Sequence, residues 1–324
     1  MAQLLDLILI FVFCFLLVKA TDVLIINFKA LCQKTHLRKF ALTGLILGLA
    51  TSLPEFFVGL TSAFEGKSIL SLGNIIGANI ANLSLVIGGA ALIGGAVKVG
   101  GNFLRRDVFY AFLAATSPML LLSDRVLSRI DGVLLLAFYL LYQLVVFEER
   151  PGIEEKQEDK QERLLRKLNC SPRRQISKEI AWIFFGIALL LFAADSLVKI
   201  AVKVAVSFNI PLLLVGLLII SVGTTLPELI FEIETLKKRQ SNMAFGNLLG
   251  SIVANGTLII GLAALISPIR IQNLNSYLLS TMAFLIIFGL FYLFIRTKRR
   301  LDRWEGLVLL LVYLLFVTTE FCGF

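Results

Sequence analysis

The chain has 324 residues, 58% hydrophobic and 16% charged, with 31 Lys and Arg against 22 Asp and Glu for a net charge of +9. That charged share is well below the roughly one quarter of a soluble globular domain, which excludes the soluble class. A single histidine, His36, and four scattered cysteines, Cys14, Cys32, Cys170 and Cys322, leave zinc chemistry and Ser-His catalysis little to work with.

Apolar runs of about 20 residues recur from end to end, each long enough to cross the hydrocarbon core of a bilayer. Met1-Ala2-Gln3 has no basic n-region and Asp6 follows it, so no signal peptide is expected. Ten spans are predicted, near 4–28, 40–65, 69–94, 103–123, 127–147, 178–206, 211–236, 243–267, 276–296 and 304–321. Between the fifth and sixth lies a hydrophilic stretch, 148–177, dense in Glu, Lys, Gln and Arg, which reads as a solvated linker between two halves.

Charge sets the expected topology. The loops after spans 1, 3, 5, 7 and 9 carry 24 basic residues, and the loops on the other side carry Lys67, Arg125, Arg129 and Arg270. Lys and Arg crowd cytoplasmic loops, so the linker is expected in the cytosol and both termini outside. The basic excess is a topology signal rather than a nucleic-acid footprint. The bilayer is the expected partner, with no nucleic acid, and the chain is expected as a monomer in the cell membrane.

One stretch occurs twice. Ala50-Thr51-Ser52-Leu53-Pro54-Glu55, followed by Gly73-Asn74-Ile75-Ile76-Gly77-Ala78-Asn79-Ile80-Ala81-Asn82, aligns without a gap on Gly223-Thr224-Thr225-Leu226-Pro227-Glu228 and Gly246-Asn247-Leu248-Leu249-Gly250-Ser251-Ile252-Val253-Ala254-Asn255 at an offset of 173 residues. Five spans per half is an odd number, so the second half starts on the opposite face. The expected fold is therefore an all-α membrane protein, ten transmembrane helices in two inverted five-helix repeats. The halves are 1–147, with its motif at 43–90, and 178–324, with its motif at 216–263.

The chemistry of the repeat is that of oxygen donors. A carboxylate in an apolar span is costly and marks a functional site by default. Pro54 and Pro227 should break spans 2 and 7, freeing carbonyls around Leu47 to Thr51 and Ile220 to Thr224. Thr51, Ser52, Thr224 and Thr225 add hydroxyls, Glu55 and Glu228 add charge, and Asn82 and Asn255 add amide oxygens from spans 3 and 8. Such hard ligands suit Ca²⁺ and Na⁺. A proline-kinked helix with two structural glutamates would leave the joint recurrence of hydroxyl, carboxylate and amide unexplained. Gly73, Gly77, Gly88, Gly246, Gly250 and Gly261 read as packing positions. Asp22 and Asp195, also matched at the 173 offset, each have a lysine one turn away, Lys19 and Lys199, and read as locally neutralised, with a hinge or gating role as the alternative. Glu232, whose counterpart is Gly59, either extends an ion path or pairs with Lys237 or Lys238.

At these residues the sequence resembles the calcium/cation antiporter superfamily, and within it the prokaryotic sodium/calcium exchangers. Their repeats read Gly-Thr-Ser-Leu-Pro-Glu, then Gly-Asn-x-x-Gly-Ser-Asn-Ile-x-Asn/Asp. The resemblance implies an antiporter without a cofactor, transporting Ca²⁺ and Na⁺. It implies that Glu55 and Glu228 are central ligands to both ions and that Thr51 and Thr224 serve Ca²⁺ through carbonyls. Ser52, Thr225 and Ser251 would serve Na⁺, and Asn82 and Asn255 would flank the middle site. The chain departs from the pattern at Ala50, Ala78, Ile252 and Asn255, so the motifs supply two carboxylates and not three.

The reading is a secondary antiporter exchanging Ca²⁺ for Na⁺ by alternating access. A Ca²⁺/H⁺ exchanger is the alternative in the same class, since glutamates release protons when Ca²⁺ binds. A passive cation channel is the rival from another class. An intramembrane enzyme lacks both a nucleophile–base pair and a metal triad. The charge bias predicts that a cysteine placed within 148–177, in a background lacking the native cysteines, stays unlabelled by an impermeant reagent in intact cells and reacts after permeabilisation. Labelling in intact cells would reverse the topology.

Overall fold

A computed structural model describes residues 2–34, 51–98, 107–149, 176–271 and 274–322. Nearly all of the 148–177 linker, His36, Cys170 and the start of the second expected span, with Ala50, lie outside the described residues. The described chain is almost entirely helical. In order it forms α1 (Ala2–Lys34), α2 (Leu53–Phe64), α3 (Ser68–Gly94), α4 (Asp107–Leu121), α5 (Arg129–Glu149), α6 (Ile176–Phe208), α7 (Leu212–Lys237), α8 (Ser241–Ile266), α9 (Leu274–Lys298) and α10 (Arg303–Cys322). Among the described residues seven stretches, in α1, α3 and α6 to α10, are long and apolar enough to cross a membrane. Among the other expected spans, α2 is a shorter apolar helix, α4 has 15 residues and α5 has 21.

The apolar residues divide between inside and outside as a membrane bundle requires. On α1, Ile10, Leu17 and Leu24 recur every seven residues and meet Leu190, Leu197 and Val204 of α6, also seven apart. A seven-residue repeat keeps one seam facing a partner helix along its length. The outer faces of the same helices expose Phe11, Phe15, Phe184 and Phe192, apolar surface of the kind lipid covers. Lys203 of α6 pairs with Asp6 of α1 at 2.7 Å. Lys19–Asp22 at 3.3 Å and Lys199–Asp195 at 2.7 Å are the local pairs expected, and Lys199 also reaches Glu65 at 3.8 Å.

A second and larger core joins α3, α4, α5 and α7 to α10. Its helices approach closely through glycine. A Cβ on Gly216 would lie 2.6 Å from the Leu70 carbonyl oxygen, and one on Gly73 or Gly77 would collide with the Leu213 or Leu217 carbonyl. A Cβ on Gly88 of α3 would meet the Gly306 carbonyl of α10 at 2.7 Å, and one on Gly261 of α8 would meet the Gly132 carbonyl of α5 at 3.0 Å. Packing is thus the role of Gly73, Gly77, Gly88 and Gly261.

Four two-residue strands were not expected from the sequence. Val97–Lys98 after α3 (β1) pairs antiparallel with Arg300–Leu301 after α9 (β4), and Val126–Leu127 after α4 (β2) pairs with Ile269–Arg270 after α8 (β3). Each pair ties a loop of one half to a loop of the other. The last helix of each half starts alike. The Asp131 carboxylate of α5 accepts from the Ser128 backbone N–H at 2.8 Å, and Glu305 of α10 accepts from the Asp302 N–H at 2.8 Å. The first is a reciprocal capping box, since the Asp131 N–H donates in turn to the Ser128 hydroxyl at 3.3 Å, and the second supplies the side-chain-to-cap bond of the same motif. Asp302, in the loop beside Lys298 at 3.1 Å and Arg300 at 2.9 Å, has its carboxyl held below the usual range, first by the Lys298 hydrogen bond.

Gly88 and Gly289 make a matched test. Gly88→Val forces the α3–α10 backbones apart and should cost about 1–3 kcal/mol. Gly289, mid-α9 with nothing within 4 Å of its virtual Cβ, should gain about 0.5–1 kcal/mol as alanine. Thermal midpoints of the detergent-solubilised proteins, lower for the first and equal or higher for the second, check this.

Candidate functional site

The two prolines shape the site, in a way milder than a break. Pro54 and Pro227 occupy the start of a helical segment, where a missing N–H is one that no intrahelical carbonyl needs. The irregular residues are Ser52 (φ −83°, ψ 12°) and Thr225 (φ −84°, ψ 1°), the same conformation at equivalent positions of the repeat. The ladder resumes at once: the Phe56 N–H donates to the Ser52 carbonyl at 2.9 Å and the Leu229 N–H to the Thr225 carbonyl at 3.1 Å. The expectation of freed carbonyls over 220–224 needs correction at Ser221. Its carbonyl accepts from the Thr225 N–H at 3.0 Å and from the Thr225 hydroxyl at 2.9 Å. Residues 47–50 of the first half lie outside the described residues.

Three π-helical turns surround these kinks: Asn82–Val86 in α3, Val215–Ile220 in α7 and Ala254–Ile259 in α8. Single π turns inside α-helices are rare and favour functional sites. Two of them carry the sequence-predicted amides, Asn82 and Asn255.

All nine sequence-predicted residues, Thr51, Ser52, Glu55, Asn82, Thr224, Thr225, Glu228, Ser251 and Asn255, are buried, Glu55 at 0% and Glu228 at 1% exposure. The structure brings the two motifs together. The Ser52 hydroxyl donates to Glu228 Oε1 at 3.4 Å, and Thr51 Oγ1 lies 3.4 Å from Ser251 Oγ. Thr51 also donates to Asn247 Oδ1 at 3.0 Å, and Thr224 donates to Asn74 Oδ1 at 3.2 Å. These two bonds are the same bond in each direction, since 51 and 224, and 74 and 247, are equivalent positions. Thr225 behaves differently from Ser52: its hydroxyl turns back to its own helix, to the Ser221 carbonyl.

Other pairs break the symmetry. The Asn255 amide donates to Asn79 Oδ1 at 3.1 Å. The position equivalent to Asn79 is Ile252, and Asn82 has neither amide atom hydrogen-bonded. Both Glu55 oxygens, Glu228 Oε2 and Asn255 Oδ1 are likewise buried without a hydrogen bond. Buried polar atoms are normally satisfied, so these point to something that binds there.

Asn74, Asn247 and Asn79 were not expected as site residues, although the first two recur identically in the repeat, which is the signal that marks them. Of the two readings of Glu232, the structure bears on the pairing with Lys237 or Lys238. Glu232 is fully buried and accepts from the Asn247 amide at 3.1 Å through Oε1, while Lys238 pairs with Glu234 at 3.6 Å. Pairing of Glu232 with the lysines is therefore set aside. Among the described residues no three His, Cys, Asp or Glu side chains converge as a ready metal cluster. The donor set is two carboxylates with neutral hydroxyl and amide oxygens, a set that suits hard cations.

A helical bundle of many membrane-spanning segments, with buried oxygen donors gathered at paired helix kinks, defines a multi-pass membrane transporter. The comparisons with known proteins sharpen the class. The family model for sodium/calcium exchanger proteins matches residues 5–148 and 178–321. The chain belongs to that family, whose members are antiporters and not enzymes. It is 31% identical to the inner membrane protein YrbG of Escherichia coli K12 over 80% of this chain and 79% of that one. It is 26% identical to the sodium/calcium exchanger MaX1 of Methanosarcina acetivorans, covering 94% and 95%. Its fold matches the solved structure of the sodium-calcium exchanger NCX_Mj soaked with 10 mM Na⁺ and zero Ca²⁺, with a TM-score of 0.63 at 23% identity, covering 97% of this chain and 98% of that one.

The unequal bonding of the two asparagines is testable. Asn247→Leu strips partners from both Thr51 and Glu232, and a buried polar group left unsatisfied costs about 1–3 kcal/mol. Asn74→Leu loses the Thr224 bond, and its amide nitrogen has none to lose. The thermal midpoint should fall further for Asn247→Leu; equal shifts would contradict the asymmetry.

Proposed function

We propose that the chain exchanges Ca²⁺ for Na⁺ across a membrane by alternating access, with the ions held between Glu55 and Glu228. The observation that carries this is the burial of both carboxylates with three of their four oxygens lacking any hydrogen bond. A buried carboxylate without a cation costs several kcal/mol, so cations complete the site. Thr51, Ser52, Thr224, Thr225, Asn82, Asn255 and Ser251 supply the neutral oxygens around them. Family membership and the similarity to the sodium/calcium exchanger MaX1 support the choice of ions.

The architecture in this reading is ten spans in two inverted repeats, 1–147 and 178–324, joined by a cytosolic linker at 148–177. Both termini lie outside, in the cell membrane, and the unit is a monomer. The strand pairs support the inversion. β1 and β2 are separated by α4, so a crossing α4 sets the β1–β4 and β2–β3 pairs on opposite faces. The equivalent of β1 in the repeat is β3, which then lies across the membrane from it.

The test is ⁴⁵Ca²⁺ uptake into proteoliposomes with Na⁺, K⁺, H⁺ or no imposed counter-gradient. Uptake should follow the Na⁺ gradient and reverse with it. Proton-driven uptake would replace Na⁺ by H⁺ as the counter-ion, and uptake without any counter-ion would mean a channel. Glu55→Gln and Glu228→Gln should each insert yet lose Ca²⁺ exchange, by at least about 100-fold, because one charge fewer in a low-dielectric site costs several kcal/mol. Wild-type rates in either variant would remove that residue from the site.

A further inference from the structure

We propose that Glu232 forms a separate monovalent-cation site one helical turn from Glu228, and that the ion it takes is carried in the exchange cycle. This rests on the antiport reading above. Glu232 is 0% exposed, its Oε1 is fixed by the Asn247 amide, and its Oε2 is buried without a hydrogen bond. The elements packed against this part of α7 are α3 and α8, which over Ser68–Gly94 and Ser241–Ile266 contain no Asp, Glu, Lys, Arg or His. On its own helix Glu228 is a second carboxylate, Glu234 is exposed and Lys237 is exposed at the C-terminal end with no ion pair to Glu232, and just beyond the helix Lys238 is engaged with Glu234. No cationic side chain among these elements neutralises Glu232, so its charge is balanced by a bound monovalent cation, H⁺ included.

The counterpart half makes the same point from the other side. Gly59 stands at the equivalent position, and a Cβ there would meet Ile259 Cγ2 at 2.7 Å, so no carboxylate fits. The Asn74 amide, equivalent to the Asn247 donor, is accordingly unsatisfied. The third carboxylate therefore belongs to one half alone. Charge then decides the ion. Glu55 and Glu228 neutralise one Ca²⁺, and Glu232 leaves a single negative charge, which matches one monovalent cation. The hydrogen bonds Glu232–Asn247 and Asn247–Thr51 connect this site to the main one, so occupancy at Glu232 is felt at Thr51.

The experiment uses full-length protein in proteoliposomes. Initial Ca²⁺ flux is measured against the concentration of the driving cation and against membrane potential, in separate Na⁺, K⁺ and H⁺ arms, for wild type, E232Q, E232M and E232D. E232Q keeps an oxygen acceptor for Asn247, and E232M is a second neutral variant of similar length. In the arm whose ion occupies the site, the neutral variants should lose about one unit of cooperativity and change the voltage dependence by one charge per cycle, as expected when one buried charge is removed. E232D should keep both. A lower rate with unchanged cooperativity and voltage dependence in every arm would make Glu232 structural and overturn the inference, leaving the antiport reading intact. Failure of wild type to exchange Ca²⁺ in any arm would overturn both.

Discussion

Two glutamates buried in an apolar bundle without a cationic side chain are the constraint on which the rest of this molecule depends. The transfer of a carboxylate out of water costs several kcal/mol even after relaxation, and the bilayer offers nothing to repay it. Among the described residues, the ion pairs lie on other acids: Asp6, Asp22, Asp195, Glu65, Glu234, Asp302 and Glu305. Of the four carboxylate oxygens of Glu55 and Glu228, only Glu228 Oε1 is hydrogen-bonded, by the Ser52 hydroxyl, and in the proposed reading cations serve the others. In a transporter this deficit is useful, because a site that is costly when empty of cations favours exchange of one for another.

The scaffold holds these charges by pairing equivalent positions of the two halves. Thr51 with Asn247 and Thr224 with Asn74 form a matched pair of buried bonds across the pseudo-symmetric centre. Close glycine contacts, Gly88 with Gly306 and Gly132 with Gly261, repeat the relation at the periphery. The symmetry fails where ions would bind. Asn79 satisfies Asn255 but Ile252 leaves Asn82 open, and Glu232 satisfies Asn247 but Gly59 leaves Asn74 open. The halves thus share a frame and differ in their donors.

Much of this was legible in the sequence, and the reasons are physical. The cost of a charge in hydrocarbon makes Glu55 and Glu228 conspicuous, and an ungapped 173-residue offset exposes the repeat. Apolar length gives the helices. Other features leave weaker traces. Two-residue strands and π turns involve too few residues to alter a pattern of hydropathy, so β1 to β4 and the turns at Asn82 and Asn255 went unforeseen. A proline two residues after a kink looks the same in sequence as one that breaks a helix, and the bonds to Ser221 decide between them. Glu232 sits in sequence between a carboxylate and two lysines. Only the fold shows that it turns inward to Asn247.

In the proposed reading Glu55 and Glu228 share one exchanged cation. Its most direct test is the anomalous scattering of crystals of the intact protein equilibrated with Ca²⁺ in the absence of Na⁺. A shared site gives a peak with carboxylate oxygens of both Glu55 and Glu228 within about 2.3–2.6 Å, the range of Ca²⁺–oxygen bonds, and loses that peak in excess Na⁺. A Ca²⁺ peak that touches neither carboxylate, or one that survives excess Na⁺ unchanged, would contradict it.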